Sequence, residues 1–104
     1  MRKVAITGIG VISCLGNNKT EVLDSLKKGQ SGLKHNQEYI DNGMRCHVSG
    51  QVNPDLDQIE RKMMRFMSET SAYAFLATKE AIEDSGLSDG DIATDRVEIG
   101  RAHV

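Results

Sequence analysis

Val4-Ala5-Ile6-Thr7-Gly8-Ile9-Gly10-Val11-Ile12 is the stretch on which the fold turns. Apart from Thr7 and the two glycines, it is apolar at odd and even positions alike, and much of it is β-branched. A strand with one wet face alternates, whereas a strand covered on both faces does not. The stretch therefore predicts a core strand held between two layers. Gly8, Gly10 and then Gly16 punctuate it, at places where a chain without side chains can pass close to another backbone.

Two other readings of this opening compete. Gly8-Ile9-Gly10 after a strand suggests a dinucleotide-binding turn, but Ser13 stands where the third glycine belongs, and no acidic residue closes a second strand about 20 residues on. Structural glycines are the better account. Arg2 and Lys3 before the apolar run, with Val11-Ile12-Ser13-Cys14 after it, resemble a bacterial lipoprotein leader that would make Cys14 a lipid anchor. The interrupting glycines and the shortness of the run favour the strand.

Working outward, Asn18 followed three residues later by Glu21 has the form of a capping box, and Val22, Leu23 and Leu26 supply an apolar stripe. A helix over 19–28 is predicted, with Lys27 and Lys28 at the negative end of its dipole and Gly29 as a left-handed cap. Cys46, Val48, Gly50 and Val52 alternate with polar residues as an edge-like strand does. After Pro54, a short amphipathic helix is expected over 57–67. It would set Ile59, Met63, Phe66 and Met67 at helical spacing, the methionines around Phe66 serving the core or a subunit interface, and turn Arg61, Lys62 and Arg65 elsewhere. Ser68 caps a further, Ala-rich helix through Asp84, closed by Ser85-Gly86-Leu87, and 88–95 reads as a polar connection.

Composition narrows the function classes. Apolar residues make up 38% and charged residues 27% of the 104, with one Pro and no repeat, which suits a soluble globular chain of at most one domain. A net charge of −2 carries no field that calls for nucleic acid or an anionic membrane. No apolar run approaches the roughly 18 residues a membrane helix needs. Two unpaired cysteines give no disulfide framework, and His35, His47 and His103 have no ligand-like spacing, so no metal site is expected. Cys14 and Cys46 lack an adjacent base or a helix start to activate them, and read as packed thiols. Arg61, Lys62 and Arg65 form a basic patch, with 61 and 65 one helical turn apart, in a geometry suited to carboxylates or phosphate.

The ordered series Val4 to Ser13, Gly16-Asn17, Gly29-Gln30-Ser31-Gly32, Gly43-Met44-Arg45-Cys46-His47-Val48-Ser49-Gly50, Arg61 to Ser68 and Tyr73-Ala74-Phe75-Leu76 resembles the start of β-ketoacyl-[acyl carrier protein] synthases. Among these it looks most like the synthase I type. The resemblance covers Met1 to Val97 and only the opening part of such an enzyme. It implies an α/β fold of the layered, thiolase-like kind, of which this chain is the N-terminal portion. It also implies a cytoplasmic homodimer and an acyltransferase of fatty acid biosynthesis that condenses an acyl thioester with malonyl-acyl carrier protein by decarboxylation. No cofactor is implied.

The family's nucleophilic Cys, two His and Lys match nothing in this chain, so no catalytic role is expected of any residue and the chain alone is expected to be inactive. Arg61, Lys62 and Arg65 match basic positions at the family's docking surface for its acidic carrier protein. A non-catalytic binding module that kept the synthase start is the alternative function. Residues 98–104 depart from the family pattern, and Ile99-Gly100-Arg101-Ala102-His103-Val104 can be encoded by the body of a widely used sequencing adapter. A native segment over 1–97 and a non-native tail over 98–104 are therefore expected.

Overall fold

The helix predicted over 19–28 forms as α1, Lys19–Lys28. The Asn18 side chain accepts the Glu21 N–H at 2.9 Å, and the Glu21 carboxylate reaches back to the N–H of Asn17 at 2.6 Å, one residue before the cap. Gly29 closes the helix in the left-handed region at φ 65°. The computed structural model describes residues 2–99. After α1 come β1 (Leu33–His35), α2 (Gln37–Asp41), β2 (Val48–Gly50), a 3₁₀ turn (Leu56–Gln58), α3 (Arg61–Met64), α4 (Glu69–Ser85) and α5 (Asp89–Ile92).

β1 and β2 pair antiparallel, with Leu33 opposite Gly50 and His35 opposite Val48. β2 lies inside the strand expected over 46–52, while its partner has no signal of its own in the sequence. α4 begins on Ser68, whose hydroxyl accepts the Ser71 N–H at 3.2 Å, and ends on Gly86 at φ 69°. The polar connection expected over 88–95 contains α5, started by a reciprocal capping box between Ser88 and Asp91.

The core strand expected over Val4–Ile12 is not found among the described residues. Val4 and Ile6 are 92% and 84% exposed, and the segment has no ladder partner. Extended backbone needs partners for its N–H and C=O groups, and here helix α4 takes two of the donors with side chains. Ile9 N–H donates to Asp84 Oδ2 at 3.1 Å and Val11 N–H to Glu80 Oε1 at 3.2 Å. Such closeness depends on the glycines. A Cβ at Gly8 would lie 2.1 Å from the Ala81 carbonyl oxygen, and one at Gly10 would lie 1.7 Å from that of Ala77. The glycines thus serve close backbone approach, as their spacing suggests.

The amphipathic helix expected over 57–67 divides at Ile59, which is extended (φ −107°, ψ 132°). Ile59 joins Ala72 and Leu76 of α4 in a small core, against which Ile12, Met64, Met67 and Phe75 pack. The apolar stripe of α1 does not face inward. Its buried residue is Ser25, whose hydroxyl donates to the Leu15 carbonyl at 2.7 Å, and Leu23 and Leu26 are exposed. Beside that contact, Cys14 sits in a tight turn bridged by Ser13 and Gly16.

The surface left open is large. The chain exposes 8967 Å², whereas a self-contained monomer of its mass exposes about 5800 Å². Its radius of gyration is 16.9 Å, against about 13 Å for a compact domain of this length. Helices and a two-stranded sheet are present, around a core of few residues. Of the tail expected over 98–104, residues 100–104 lie outside the described residues.

Candidate functional site

Arg61 and Lys62 lie in α3, and Arg65 follows at its C-terminal cap with helical dihedrals (φ −62°, ψ −24°). The turn tightens beyond it, with Phe66 N–H donating to the Met63 carbonyl at 3.0 Å and Met67 N–H to that of Met64 at 3.3 Å. Helical backbone through Arg65 keeps Arg61 and Arg65 one turn apart on the same side, as the sequence predicts. All three cations are exposed, and none takes part in an ion pair among the described residues.

The apolar residues here sort differently from the expectation. Met64 and Met67, three apart, pack on the Ile59–Ala72–Leu76 core. Met63 and Phe66, also three apart, face solvent, and Phe66 is 91% exposed. The break at Ile59 explains the change. Because the helix starts afresh at Arg61, its inward stripe is set by Met64 and not by the phase of Ile59, which leaves Met63 and Phe66 on the side of the cations.

A second polar cluster holds the N-terminal segment. Glu80 Oε1 accepts the N–H groups of both Val11 and Lys19, at 3.2 and 3.0 Å. Asp84 accepts the Ile9 N–H and also forms an ion pair with the Lys19 ammonium. The Lys19 hydrogen bond, and after it the Ile9 N–H, hold the Asp84 carboxyl below its ordinary value of 3.8, against a small opposing effect of desolvation. This is a structural clasp across α1, α4 and the opening segment.

Cys14 is half-buried, and a Cβ on Gly32 or Gly50 would come within 2.5 or 3.2 Å of its sulfur. Cys46 is exposed, its thiol 3.4 Å from the Val48 carbonyl. His35 and His47 are exposed at the β1–β2 hairpin, and His103 lies outside the described residues. Among the described residues no group of three or more His, Cys, Asp or Glu is placed to hold a metal ion, and no helix is long and apolar enough to cross a membrane.

Residues 1–102 match the family model described as "Beta-ketoacyl synthase, N-terminal domain". The chain is 49% identical over 98 residues to 3-oxoacyl-[acyl-carrier-protein] synthase 1 of Haemophilus influenzae, covering 92% of this chain and 24% of that protein. It is 52% identical over 89 residues to the Escherichia coli (strain K12) protein of the same name, covering 85% and 22%. To 3-oxoacyl-[acyl-carrier-protein] synthase 2 of Staphylococcus aureus (strain N315) it is 30% identical over 98 residues, covering 92% and 24%. The chain thus spans about a quarter of the length of the curated relatives it matches.

Proposed function

Because the chain belongs to the β-ketoacyl synthase family, matching its N-terminal domain, we propose that it is the opening portion of a 3-oxoacyl-[acyl-carrier-protein] synthase, an acyltransferase of fatty acid biosynthesis. The relatives' names support this reading. The reaction is the condensation of an acyl thioester with malonyl-acyl carrier protein, driven by loss of carbon dioxide. In the family the nucleophile is a Cys, assisted by two His and a Lys, and no residue of this chain is assigned any of those roles. Taken alone, the chain is inactive in condensation. In the whole protein it takes its place in a layered, thiolase-like α/β fold and in a cytoplasmic homodimer.

What this chain contributes is a docking surface for the acidic carrier protein. The observation that carries this role is the trio Arg61, Lys62 and Arg65, exposed together on and just after α3 and outside any ion pair among the described residues. Cations left free in this way attract an acidic protein over distance and orient it on arrival. Reversing Arg61 and Arg65 to Glu in the whole protein and measuring carrier binding against salt tests the assignment. Binding and salt dependence equal to those of the unaltered protein would disprove it.

A further inference from the structure

Five asparagines stand in the chain, and Asn42 is the one followed by glycine. The others precede Asn18, Lys19, Gln37 and Pro54. Such a pair carries its own chemistry. The backbone nitrogen after an asparagine can attack the side-chain amide carbon, and a glycine at that place puts no side chain in the way of the backbone rotation this needs.

In this fold the same two residues close α2. Asn42 is the C-cap, at φ −89° and ψ 5°, and Gly43 follows in the left-handed region at φ 71°. The Gly43 N–H donates to the Ile40 carbonyl at 3.0 Å and the Met44 N–H to that of Tyr39 at 2.9 Å, the paired bonds of a Schellman turn. The Asn42 side-chain amide and its backbone N–H both donate to the Glu38 carbonyl, at 2.9 and 3.1 Å. All of these contacts run between Glu38 and Met44, so they stand whatever packs over the turn.

The turn opposes the attack in three ways. At ψ 5° the Gly43 nitrogen eclipses the backbone nitrogen of Asn42 and is turned away from Cβ, whereas ring closure needs it eclipsed with Cβ. The attacking nitrogen must also lose its proton, and the hydrogen bond it donates to Ile40 favours the protonated form. The carbon under attack sits on a side chain held to Glu38. Reaction therefore requires the turn to open.

We propose that Asn42-Gly43 is a self-modification site kept latent by the C-terminal turn of α2, whose opening sets the rate of conversion to aspartate and isoaspartate. A bond forms between Gly43 N and Asn42 Cγ, the Cγ–Nδ2 bond breaks, and Nδ2 leaves as ammonia with the proton lost from Gly43 N. Water then opens the cyclic imide at one or the other carbonyl. Neither product restores the turn. Aspartate has no side-chain N–H to give Glu38 and sets a carboxylate at the helix C-terminus, where the dipole disfavours it. Isoaspartate routes the main chain through Cβ and shifts the N–H groups of Gly43 and Met44 out of register. For α2, which joins β1 to β2, the step runs one way.

The test incubates the whole protein at mildly alkaline pH, native and unfolded in urea, and follows residue 42 by peptide mass spectrometry with aspartyl and isoaspartyl peptides separated. In urea Asn42 should convert first among the asparagines, and in the native protein at least about tenfold more slowly, as a locally closed segment does. The Asn36 side chain accepts the N–H groups of Glu38 and Tyr39 at the start of α2. Asn36→Ala should raise the native rate about fivefold, the change in open population that loss of an N-cap brings, and Asn36→Asp, which keeps an acceptor there, should not. A native rate equal to that in urea would overturn the latch, as would an unchanged rate in folded Asn36→Ala. Conversion of Asn42 in urea no faster than that of the other asparagines would overturn the site. Should Asn36→Ala fail to fold, the ratio of native to unfolded rates in the unaltered protein decides alone.

Discussion

Gly10 and Ala77 stand so close that a β-carbon on Gly10 would come 1.7 Å from the Ala77 carbonyl oxygen. The obstacle is helix backbone, which does not swing aside as a side-chain tip does. Gly10→Ala should therefore lift the opening segment off α4 and cost on the order of 3 kcal/mol, at the upper end of overpacking effects. Gly90→Ala is the matched control, because the nearest atom to a Cβ there is the Ser88 hydroxyl oxygen at 3.9 Å, and alanine gains about 0.5–1 kcal/mol over glycine in a helix. Urea unfolding of the two variants, made in the whole protein, should move in opposite directions. Equal midpoints would refute the close approach.

Charge reversal at Arg61 and Arg65 should slow association with the carrier protein by about tenfold or more at low ionic strength, and by much less at high salt, since exposed charges act mainly through encounter. Stopped-flow association rates measure this directly. Lys34→Glu provides the control, on an exposed cation of β1. An equal effect from Lys34 would mean that overall charge, and not the α3 face, governs docking.

The Asp84 clasp has a defined pH signature. Its folded-state pKa lies below 3.8, the Lys19 hydrogen bond being the first cause. A depressed carboxylate stabilises the fold above its unfolded-state value, and that contribution is lost as pH falls through the folded-state value. The acid side of the stability profile should accordingly steepen below about pH 4, and Asp84→Asn should remove that part of it. Carboxyl carbon NMR reads the same group directly. A midpoint at or above 3.8 in the intact chain, or one that does not rise in Lys19→Met, would count against the clasp.

The excess surface predicts how the 104-residue chain behaves in isolation. With Val4, Ile6, Leu23, Leu26 and Phe66 all exposed and a core built on Ile59, Ala72 and Leu76, it should bind a hydrophobic dye, self-associate and melt without a sharp transition. Sedimentation and dye fluorescence check this. A monomer that melts cooperatively and binds no dye would contradict it.

Local chemistry made part of this fold legible in the sequence and long-range contact hid the rest. Asn18, Gly29, Ser68 and Gly86 announce the ends of α1 and α4 because a cap is settled within four residues. Ser88 and Asp91 carry the same kind of signal for α5, and the polarity of the stretch obscured it. Nothing in Leu33–His35 says that Val48–Gly50 will pair with it, since that choice is made across the chain. Val4–Ile12 has the composition of a buried strand, but burial needs partners that the described residues do not supply. The three cations of the candidate site were readable as a cluster. The outward turn of Met63 and Phe66 was not, because it depends on the break at Ile59 shifting the phase of α3.

The seat of Cys14 against Gly32 and Gly50 gives the molecule a chemical gauge. The two glycines lie together at the open end of the strand pair, Gly32 preceding β1 and Gly50 ending β2, so the sulfur lies against that end of the hairpin. Cys46, on the connection into β2, stands open to solvent. An alkylating reagent should consume the exposed Cys46 faster than the half-buried Cys14, whose sulfur the hairpin partly covers. The ratio of the two rates, followed by mass spectrometry, then reports how far the hairpin shields the Cys14 sulfur, with no label added.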